Sequence, residues 1–364
     1  MTSVHQFVPA LLPRDATGDH TLALRDTLRA AGWESDIYVE AVHDELSAEA
    51  SYFERYPERA RPGDVLLYQV STASPVADFL AGRPETLVLD YHNITPPSFY
   101  EGWEDHTADK VALARSQVAE LAPLAALGIA DSSFNAAELT RLGCRSTTVV
   151  PLLVEMDAGQ AVVDQAELAR LGADHGSSTV LLFVGRLSPN KAQHHLVEAL
   201  WLYRRWHDPD AVLHLVGPAV TRSYVDAVFA FADALGLAGA VRHGEDLTDG
   251  ELAAWYADAD VFVCLSDHEG FCIPLLEAMR SGLPIVAFAA GAVPETLGEA
   301  GILLDSKRPG VVASAVERVR RDAGLVDGLA AAGHRRLESF SLARTRARFI
   351  EVLTGLVESR SPGP

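Results

Sequence analysis

Residues 260–279 read DVFVCLSDHEGFCIPLLEAM. An apolar run comes first, a loop with one glutamate follows, and a helix-like stretch with a second glutamate ends the segment. A strand that is apolar on both faces is typical of a parallel sheet covered by helices, and such open sheets bind ligands at the carboxyl ends of their strands. The segment therefore predicts a ligand site near Glu269 and Glu277.

The same strand pattern recurs along the whole chain, with helix-patterned segments between the runs. Twelve short apolar runs divide evenly between two halves: residues 4–8, 36–40, 65–69, 86–91, 128–132 and 147–151, then 179–184, 211–216, 240–243, 260–265, 284–288 and 301–305. Strands that alternate with helices, twice over, predict an α/β protein with two doubly wound domains.

Domain boundaries follow from composition. Polar residues and glycines at 154–178 predict a linker, so we expect an N-terminal domain at 1–155 and a C-terminal domain at 175–340. Residues 341–364 are expected to form a C-terminal helix and a disordered tail. That helix could pack on either half, including back on the N-terminal domain.

Overall composition excludes several classes of protein. A net charge of −20 argues against nucleic acid as a partner, because a phosphate backbone requires a basic surface. No apolar stretch approaches the roughly 20 residues of a membrane span, and the N-terminus lacks signal-peptide features, so we expect a cytoplasmic protein. The three cysteines are too few and too scattered to predict a disulfide framework or a zinc site.

The start of the predicted helix after residue 273 favours an anion. Pro274 suits the first turn of a helix that is expected to span about residues 274–281. The backbone N–H groups of Phe271, Cys272 and Ile273 would then point out of its N-terminus, an environment that favours phosphate. Carboxylates bind phosphate poorly but accept hydrogen bonds from sugar hydroxyls. Two carboxylates beside an anion site therefore indicate a nucleotide sugar.

A second segment, FVGRLSPNKAQHHLVEAL at 183–200, supplies positive charge. It leaves a predicted strand through Gly185 and enters a helix near Lys191. Arg186 offers a fork of donors for phosphate oxygens, and Lys191 offers a compact charge. The glycine pattern of a Walker loop is absent. Read alone, the two cations are ordinary surface residues.

Together these segments resemble a known family. The order FVGRLSPNK, LVG at 215–217, SDHEGFCIPLLEAMRSGLPIVAF and GAVPETLGEAGILLD is similar to the donor-binding domain of retaining glycosyltransferases of family four, which have the GT-B fold. The similarity extends to bacterial polysaccharide glycosyltransferases and covers roughly residues 180–305. It implies two Rossmann-like domains that face an interdomain cleft.

The resemblance implies roles for individual residues. The basic pair would hold the donor diphosphate, Glu269 would contact the sugar, and Glu277 would contact the ribose. The implied donor-binding residues are Gly185, Arg186, Lys191, Gly217, Glu269, Gly270, Phe271, Cys272, Ile273 and Glu277. One departure is Cys272, which stands where the family often has glycine.

The N-terminal half resembles the family less closely. DYHNITPPSFYEGW at 90–103 is similar to a segment in which a histidine faces the transferred sugar, and His92 is the match. His92, Arg186, Lys191 and Glu269 are the implied catalytic residues. Gly18, Asp19 and His20 would lie on the acceptor side. Alternatively, His92 is a packed core histidine, Gly18 a turn glycine and Asp19 a helix cap.

The resemblance also implies a retaining reaction, and the placement of the aspartates predicts that it needs no metal. Asp258 and Asp260 have the spacing of an Asp-X-Asp motif, but they precede their strand instead of following it, so no metal or other cofactor is expected. The expected partners are a UDP- or GDP-sugar donor and a carbohydrate, lipid-linked or small-molecule acceptor. A lipid-linked acceptor would leave peripheral attachment to the inner face of the membrane open.

Three alternatives remain at this stage. A glycoside phosphorylase would use the same fold with free phosphate. A nucleotide-sugar epimerase would need no acceptor. A non-catalytic module would bind and release the sugar nucleotide unchanged. Fold alone does not distinguish these functions.

Overall fold

The computed structural model of the protein describes residues 3–154 and 162–360. The chain divides into two compact units. The first comprises Met1–Ser98, His106–Glu155 and Phe340–Pro364, and the second comprises Phe99–Asp105 and Met156–Ser339.

Strands and helices alternate along most of the described residues. The strands are β1 (Val4–Leu11), β2 (Ile37–Val42), β3 (Ser51–Tyr52), β4 (Val65–Val70), β5 (Thr86–Tyr91), β6 (Leu127–Ala130), β7 (Thr147–Val149), β8 (Val180–Val184), β9 (Val212–Val216), β10 (Val241–Gly244), β11 (Val261–Cys264), β12 (Ile285–Phe288) and β13 (Ile302–Leu304). The helices are α1 (Ala16–Ala30), α2 (Pro75–Ala81), α3 (Asp105–Leu121), α4 (Ser133–Arg141), α5 (Gln165–His175), α6 (Gln193–Trp206), α7 (Arg222–Ala234), α8 (Asp249–Asp258), α9 (Ile273–Arg280), α10 (Val293–Leu297), α11 (Pro309–Arg321), α12 (Ala323–Glu338) and α13 (Leu342–Arg360).

The first unit is built on a parallel sheet in the order β3-β2-β1-β4-β5-β6-β7. Apolar side chains cover both faces of this sheet, as the uninterrupted apolar runs predicted. Helix α13 belongs to this unit, because Leu342, Phe349 and Leu353 join the core cluster that contains Leu24 of α1. The C-terminal helix is therefore part of the N-terminal core.

The second unit has a parallel sheet in the order β10-β9-β8-β11-β12-β13. The chain builds β9 and β10 outward from one side of β8, then returns to place β11, β12 and β13 on the other side. The strand order thus reverses between β8 and β11. Open α/β sheets bind ligands at such a reversal, outside the carboxyl ends of the strands.

The predicted α/β fold of two doubly wound sheets is confirmed, and each of the twelve predicted strands forms. Strand β3 was missed because it has only two residues, both exposed, and therefore no apolar run. The linker predicted at 154–178 is partly helical, since α5 lies inside it and packs against α8. Residues 155–161 of that linker and residues 361–364 of the predicted tail lie outside the described residues.

None of the helices described in residues 3–154 and 162–360 combines the length and the apolarity needed to cross a membrane.

Candidate functional site

The loop after β8 presents the predicted basic residues. Gly185 has φ 147°, a backbone conformation that side chains rarely adopt, and it turns the chain out of the sheet. Arg186 follows on the surface, and its backbone carbonyl accepts a hydrogen bond from Gln193 Nε2 at 3.0 Å. A 3₁₀ turn at Pro189–Lys191 then leads into α6. Gln193 of α6 therefore holds the loop that precedes this helix.

Gly217 packs the loop after β9 against this loop. It has φ 131°, and a Cβ at this position would collide with the backbone carbonyl of Gly185. The Leu187 N–H donates to the Pro218 carbonyl at 2.9 Å and holds the two loops together. Gly217 therefore shapes the site through its lack of a side chain.

The structure brings Lys191 and Glu269 together. Lys191 Nζ lies 2.7 Å from Glu269 Oε2, and the two side chains are 15% and 7% exposed. Burial acts to lower the pKa of Lys191, but the Glu269 carboxylate opposes it, and the pKa is raised above its ordinary value. Lys191 is therefore held as a cation at the end of β8.

The loop that carries Glu269 is held by the segment GAVPE. The Ala292 N–H donates to the Glu269 carbonyl at 2.9 Å, and a Cβ at Gly291 would collide with the Glu269 backbone. Thr296 Oγ1 donates to the Phe271 carbonyl at 2.6 Å. The segment GAVPE therefore has a structural role: it holds the loop that carries Glu269.

Helix α9 begins at Ile273, one residue before the predicted start, and ends at Arg280. Its N-cap is Cys272, whose side chain makes no capping hydrogen bond. Cys272 has φ 74° and ψ 67°, the left-handed region that glycine adopts most readily. The loop thus keeps, with a cysteine, the conformation for which the family often uses glycine.

Glu277 lies one turn into α9. Tyr256 of α8 donates its hydroxyl hydrogen bond to Glu277 Oε2 at 2.7 Å. Burial raises the pKa of the Glu277 carboxyl, and the bond from Tyr256 partly opposes that rise. One carboxylate oxygen is thereby oriented, and the other keeps acceptor capacity for a ligand hydroxyl.

In the first unit, His92 follows β5 and ends a chain of buried hydrogen bonds. Gln6 Nε2 donates to the Thr21 carbonyl at 3.0 Å, Gln69 Nε2 donates to Gln6 Oε1 at 2.9 Å, and His92 Nε2 lies 2.5 Å from Gln69 Oε1. Because the Thr21 carbonyl can only accept a hydrogen bond, Gln6 must direct its amide nitrogen toward Thr21 and its amide oxygen toward Gln69. Gln69 must then donate to Gln6 and direct its own amide oxygen toward His92. His92 Nε2 must therefore carry a proton.

The other ring nitrogen of His92 faces a carboxylate. His92 Nδ1 lies 3.1 Å from Asp131 Oδ1, and the two side chains are 5% and 2% exposed. Burial acts to lower the pKa of His92, but Asp131 and then Asp90 oppose it, and the pKa is raised to about 9. The hydrogen-bond geometry and the neighbouring carboxylates therefore both favour the doubly protonated, cationic form of the His92 ring. The predicted role of His92 at the transferred sugar stays a prediction.

The predicted acceptor-side residues lie at the start of α1. A Cβ at Gly18 would come within 2.8 Å of the Leu12 carbonyl oxygen, so this position requires glycine. His20 is fully buried: its Nδ1 accepts from the Leu153 N–H at 3.0 Å, and its Nε2 lies 3.0 Å from Asp90 Oδ2. Asp19 is exposed on the helix. A role for Gly18, Asp19 or His20 at an acceptor stays a prediction.

The two aspartates of ADADVF lie at the amino end of β11. Asp258 contacts His175 Nε2 at 2.9 Å, and Asp260 Oδ2 accepts from the Val180 N–H at 2.8 Å. Asp260 also pairs with Arg320. Both carboxylates therefore have structural partners, at the opposite end of the strand from Glu269.

Sequence reasoning missed two features of the site. Tyr256 lies on α8, just before β11. Nothing in the sequence around this aromatic residue indicates that its hydroxyl contacts Glu277, 21 positions later. The scatter of the cysteines along the chain predicted no metal site, yet the sulfur atoms of Cys264 and Cys272 and a Glu269 carboxylate oxygen lie within 4.8 Å of one another. The loop after β11 folds back on the strand end, which spacing along the chain does not reveal.

Comparison with known proteins agrees with this geometry. Residues 167–336 match the family described as glycosyl transferases group 1, a class of glycosyltransferase domain. The resemblance inferred from the motifs is confirmed by this match. The matched region contains the loops after β8 and β11 and all of α9.

Curated relatives are glycosyltransferases by name. The chain is 34% identical over 200 residues to the D-inositol 3-phosphate glycosyltransferase of Thermomonospora curvata, covering 53% of this chain and 46% of the relative. It is 33% identical over 195 residues to the GDP-mannose-dependent alpha-(1-6)-phosphatidylinositol monomannoside mannosyltransferase of Mycolicibacterium smegmatis, covering 51% and 50%. The chain thus spans about half the length of the curated relatives that it matches.

Solved structures share the fold over nearly the whole chain. HepE of Anabaena, crystallised with UDP and glucose, has a TM-score of 0.76 at 19% identity and covers 98% of this chain and 100% of its own. Sucrose-phosphate synthase from Thermosynechococcus elongatus has a TM-score of 0.76 at 17% identity, covering 99% and 100%. At this level of identity the likeness concerns the fold alone.

Proposed function

We propose that this chain, whose residues 167–336 match the glycosyl transferases group 1 family, is a glycosyltransferase that moves a hexose-type sugar from a nucleotide-diphosphate sugar to a hydroxyl acceptor. One observation carries the proposal. Lys191 pairs with Glu269 at the carboxyl ends of β8 and β11, where the strand order reverses. The loop that bears Lys191 also carries Arg186, and the loop that bears Glu269 leads into α9, which carries Glu277.

The donor is proposed to be a UDP- or GDP-sugar. HepE was crystallised with UDP-glucose, and the mycobacterial relative is named as GDP-mannose-dependent. Those ligands belong to the relatives, and they support the nucleotide-sugar class for this chain. The charge at the site fits a diphosphate, because the whole protein carries −20 and yet the loop after β8 carries two cations, Arg186 and Lys191, close enough for the charge of Arg186 to act on Lys191.

The proposed chemistry follows from the leaving group. Cleavage of a sugar–phosphate bond places negative charge on the diphosphate and positive charge at the anomeric carbon. Donors that are already oriented toward the diphosphate stabilise this change more than they stabilise the bound substrate. Lys191, Arg186 and the N–H groups at the start of α9 are those donors. Glu269 then accepts from sugar hydroxyls, and Glu277 accepts from the ribose.

We propose that no divalent metal takes part in the transfer. The positive charge that a metal would supply is available from Lys191, Arg186 and the helix N-terminus. Asp258 and Asp260 have structural partners at the opposite end of β11. Retention of anomeric configuration is proposed from the family resemblance, with the attacking hydroxyl on the face of the leaving diphosphate.

The acceptor is proposed to be a carbohydrate, lipid-linked or small-molecule hydroxyl. Gly18, Asp19 and His20 remain the predicted acceptor-side residues, and His92 the predicted residue at the transferred sugar. The cytoplasmic location, with peripheral attachment to the inner face of the membrane as an option, stays a prediction.

A donor screen tests the proposal. UDP-, GDP- and ADP-sugars are added singly, and the melting temperature of the protein is measured. A true donor stabilises the fold in proportion to the logarithm of its concentration over Kd. The donor that stabilises is then incubated with candidate acceptors. Absence of stabilisation by every nucleotide sugar at millimolar concentration would contradict the proposal.

The product of one such reaction tests stereochemistry and metal dependence together. The coupling constant of the anomeric proton is compared between donor and product, with and without excess EDTA. We expect the same configuration and an undiminished rate in EDTA. An inverted product would contradict retention, and activity that requires added Mg²⁺ or Mn²⁺ would contradict the metal-free site.

The same assay separates the other functions. A phosphorylase would require inorganic phosphate, an epimerase would convert the donor without an acceptor, and a binding module would be stabilised without turnover. Only transfer that depends on a hydroxyl acceptor supports the proposed function.

A further inference from the structure

Two cysteines lie beside the proposed donor site. Cys264 ends β11, Cys272 caps α9, and both are buried free thiols. Their sulfur atoms and a Glu269 carboxylate oxygen all lie within 4.8 Å of one another. The described part of the chain thus places two soft ligands and one carboxylate around one point.

We propose that Cys264, Cys272 and Glu269 form a binding site for a thiophilic divalent cation such as Zn²⁺, and that occupancy of this site blocks donor binding. Zn²⁺ binds cysteine sulfur at about 2.3 Å and carboxylate oxygen at about 2.0–2.2 Å, commonly with four ligands. Three protein ligands leave one coordination position for water. The spacing of the three atoms requires only small side-chain movements to reach these distances.

The charges at the site favour this ion. On binding, the two thiols release their protons to solvent, so two thiolates and one carboxylate surround a dication and leave a net charge of −1. Lys191 Nζ, 2.7 Å from Glu269 Oε2, carries the positive charge that balances the cluster. An ammonium group beside the ligands is therefore compatible with the bound metal.

The backbone of Cys272 has an unusual conformation for a residue with a side chain. Its φ of 74° lies in a region that disfavours residues with a Cβ, and glycine would adopt it more readily. Strained residues of this kind cluster at functional sites. A cysteine at this position therefore carries a conformational cost that glycine would not.

The bound ion would inhibit donor binding because Glu269 would serve both the ion and the donor sugar; this step rests on the proposed function. Glu269 is the carboxylate assigned to the donor sugar, and Cys272 begins the helix assigned to the diphosphate. An ion held by both would engage the Glu269 carboxylate and occupy the floor of the donor site. Zn²⁺ would thus be inhibitory: removal of Zn²⁺ would restore activity, whereas removal of a catalytic metal would abolish it.

Metal binding can be tested without any activity. Co²⁺ is titrated into the reduced protein under anaerobic conditions, and thiolate-to-metal charge-transfer absorption is recorded. We expect one Co²⁺ per chain, displaced by Zn²⁺. Binding should weaken at least tenfold in Cys264→Ser. The matched control is Cys144→Ser, the third buried free cysteine, which lies in the first unit and should bind as the parent does.

Two outcomes would overturn the site. One is the absence of charge-transfer absorption in the parent. The other is an affinity for Co²⁺ that Cys264→Ser leaves unchanged or that Cys144→Ser lowers. If Cys264→Ser fails to fold, Glu269→Gln serves instead, because it removes one anionic ligand at constant size and should also weaken Co²⁺ binding at least tenfold. Unchanged binding in Glu269→Gln would equally overturn the site.

The effect on the donor is measured separately. The affinity of the stabilising nucleoside diphosphate is compared with and without Zn²⁺, in the parent and in Cys264→Ser. We expect at least a tenfold loss in the parent and little change in the variant. Co²⁺ binding together with unchanged nucleotide affinity would overturn inhibition. A failure of sugar transfer alone would contradict the proposed function and leave the metal site intact.

Discussion

The Lys191 ammonium contacts the Glu269 carboxylate at 2.7 Å, although 78 positions separate the two residues in the chain. The pair joins the loop after β8 to the loop after β11, across the point where the strand order reverses. An ammonium group has three donors, so one bond to Glu269 leaves two for phosphate oxygens. One side chain can thus orient the Glu269 carboxylate and, in the proposed reaction, meet the charge of the leaving group.

Replacement of Lys191 by alanine should lower turnover by on the order of 100-fold or more, the usual effect of removing one strong transition-state donor. The measurement is the initial rate at saturating donor. Lys110→Ala is the matched control, since Lys110 is an exposed lysine on α3 and should leave the rate unchanged. Turnover of Lys191→Ala within a few-fold of the parent would remove this residue from the mechanism. A thermal melt of the variant checks the fold, because Glu269 loses its partner.

Tyr256 and Glu277 should act as a unit in nucleotide binding. Glu277→Ala should weaken the nucleoside diphosphate by about 1–3 kcal/mol, the range for hydrogen bonds to a charged group. Tyr256→Phe should weaken it less, since the carboxylate remains but loses its oriented partner. Isothermal titration calorimetry measures both.

Two controls accompany this measurement. Tyr203→Phe removes a hydroxyl that donates to a different glutamate, Glu317, at 2.9 Å in the same unit and should leave nucleotide affinity unchanged. Glu269→Ala should reduce sugar transfer while the free diphosphate binds nearly as before. Equal diphosphate affinity in Glu277→Ala and the parent would show that Glu277 does not hold the ribose.

His92 should remain protonated at neutral pH, because its pKa is raised from 6.5 to about 9. An NMR titration of the ring protons, assigned with His92→Gln, measures this value directly. Asp131→Asn should lower the pKa, since the opposing carboxylate charge is lost. A pKa near 6.5 in the parent would contradict the buried ion pair.

The same shift predicts a pH dependence of stability. A histidine whose pKa is higher in the folded state stabilises the fold fully below pH 6.5 and loses that contribution as the pH rises through about 9. The difference in melting temperature between the parent and His92→Gln should therefore shrink from pH 6.5 to about 9. A difference that stays constant over this range would contradict the assignment.

His214 should be a source of instability. It is fully buried on β9, and neither ring nitrogen has a hydrogen-bond partner in the part of the chain that the structure describes. His214→Leu should therefore raise stability by about 1–3 kcal/mol, the cost of a buried unsatisfied polar group. Chemical denaturation measures the change. Exposed His334→Leu is the control and should have little effect.

The advantage of His214→Leu should depend on pH. Burial and the charge of Arg242 lower the pKa of His214 from 6.5 to about 3. Between these values only the unfolded state binds the proton, so the parent loses stability as the pH falls from 6.5. The gain from the leucine should grow over this interval. A gain that is independent of pH would show that His214 titrates normally.

Local pattern carried most of the fold prediction. The apolar runs at 65–69 and 179–184 form β4 and β8. They can be predicted because the periodicity that distinguishes a strand from a helix involves only residues close together in the sequence. Local signals also placed the start of α9 within one residue, since Pro274 fits only the first turn of a helix.

The sequence by itself determined the two α/β units, the loops that carry charge and the residue types on those loops, because each of these follows from short-range periodicity and residue chemistry. Tertiary structure decided the partners: Glu269 for Lys191, Tyr256 for Glu277, and Cys272 for Cys264. Hydrogen bonds, ion pairs and metal coordination act over a few ångströms, and only the closure of loops from different strands brings such atoms within that range.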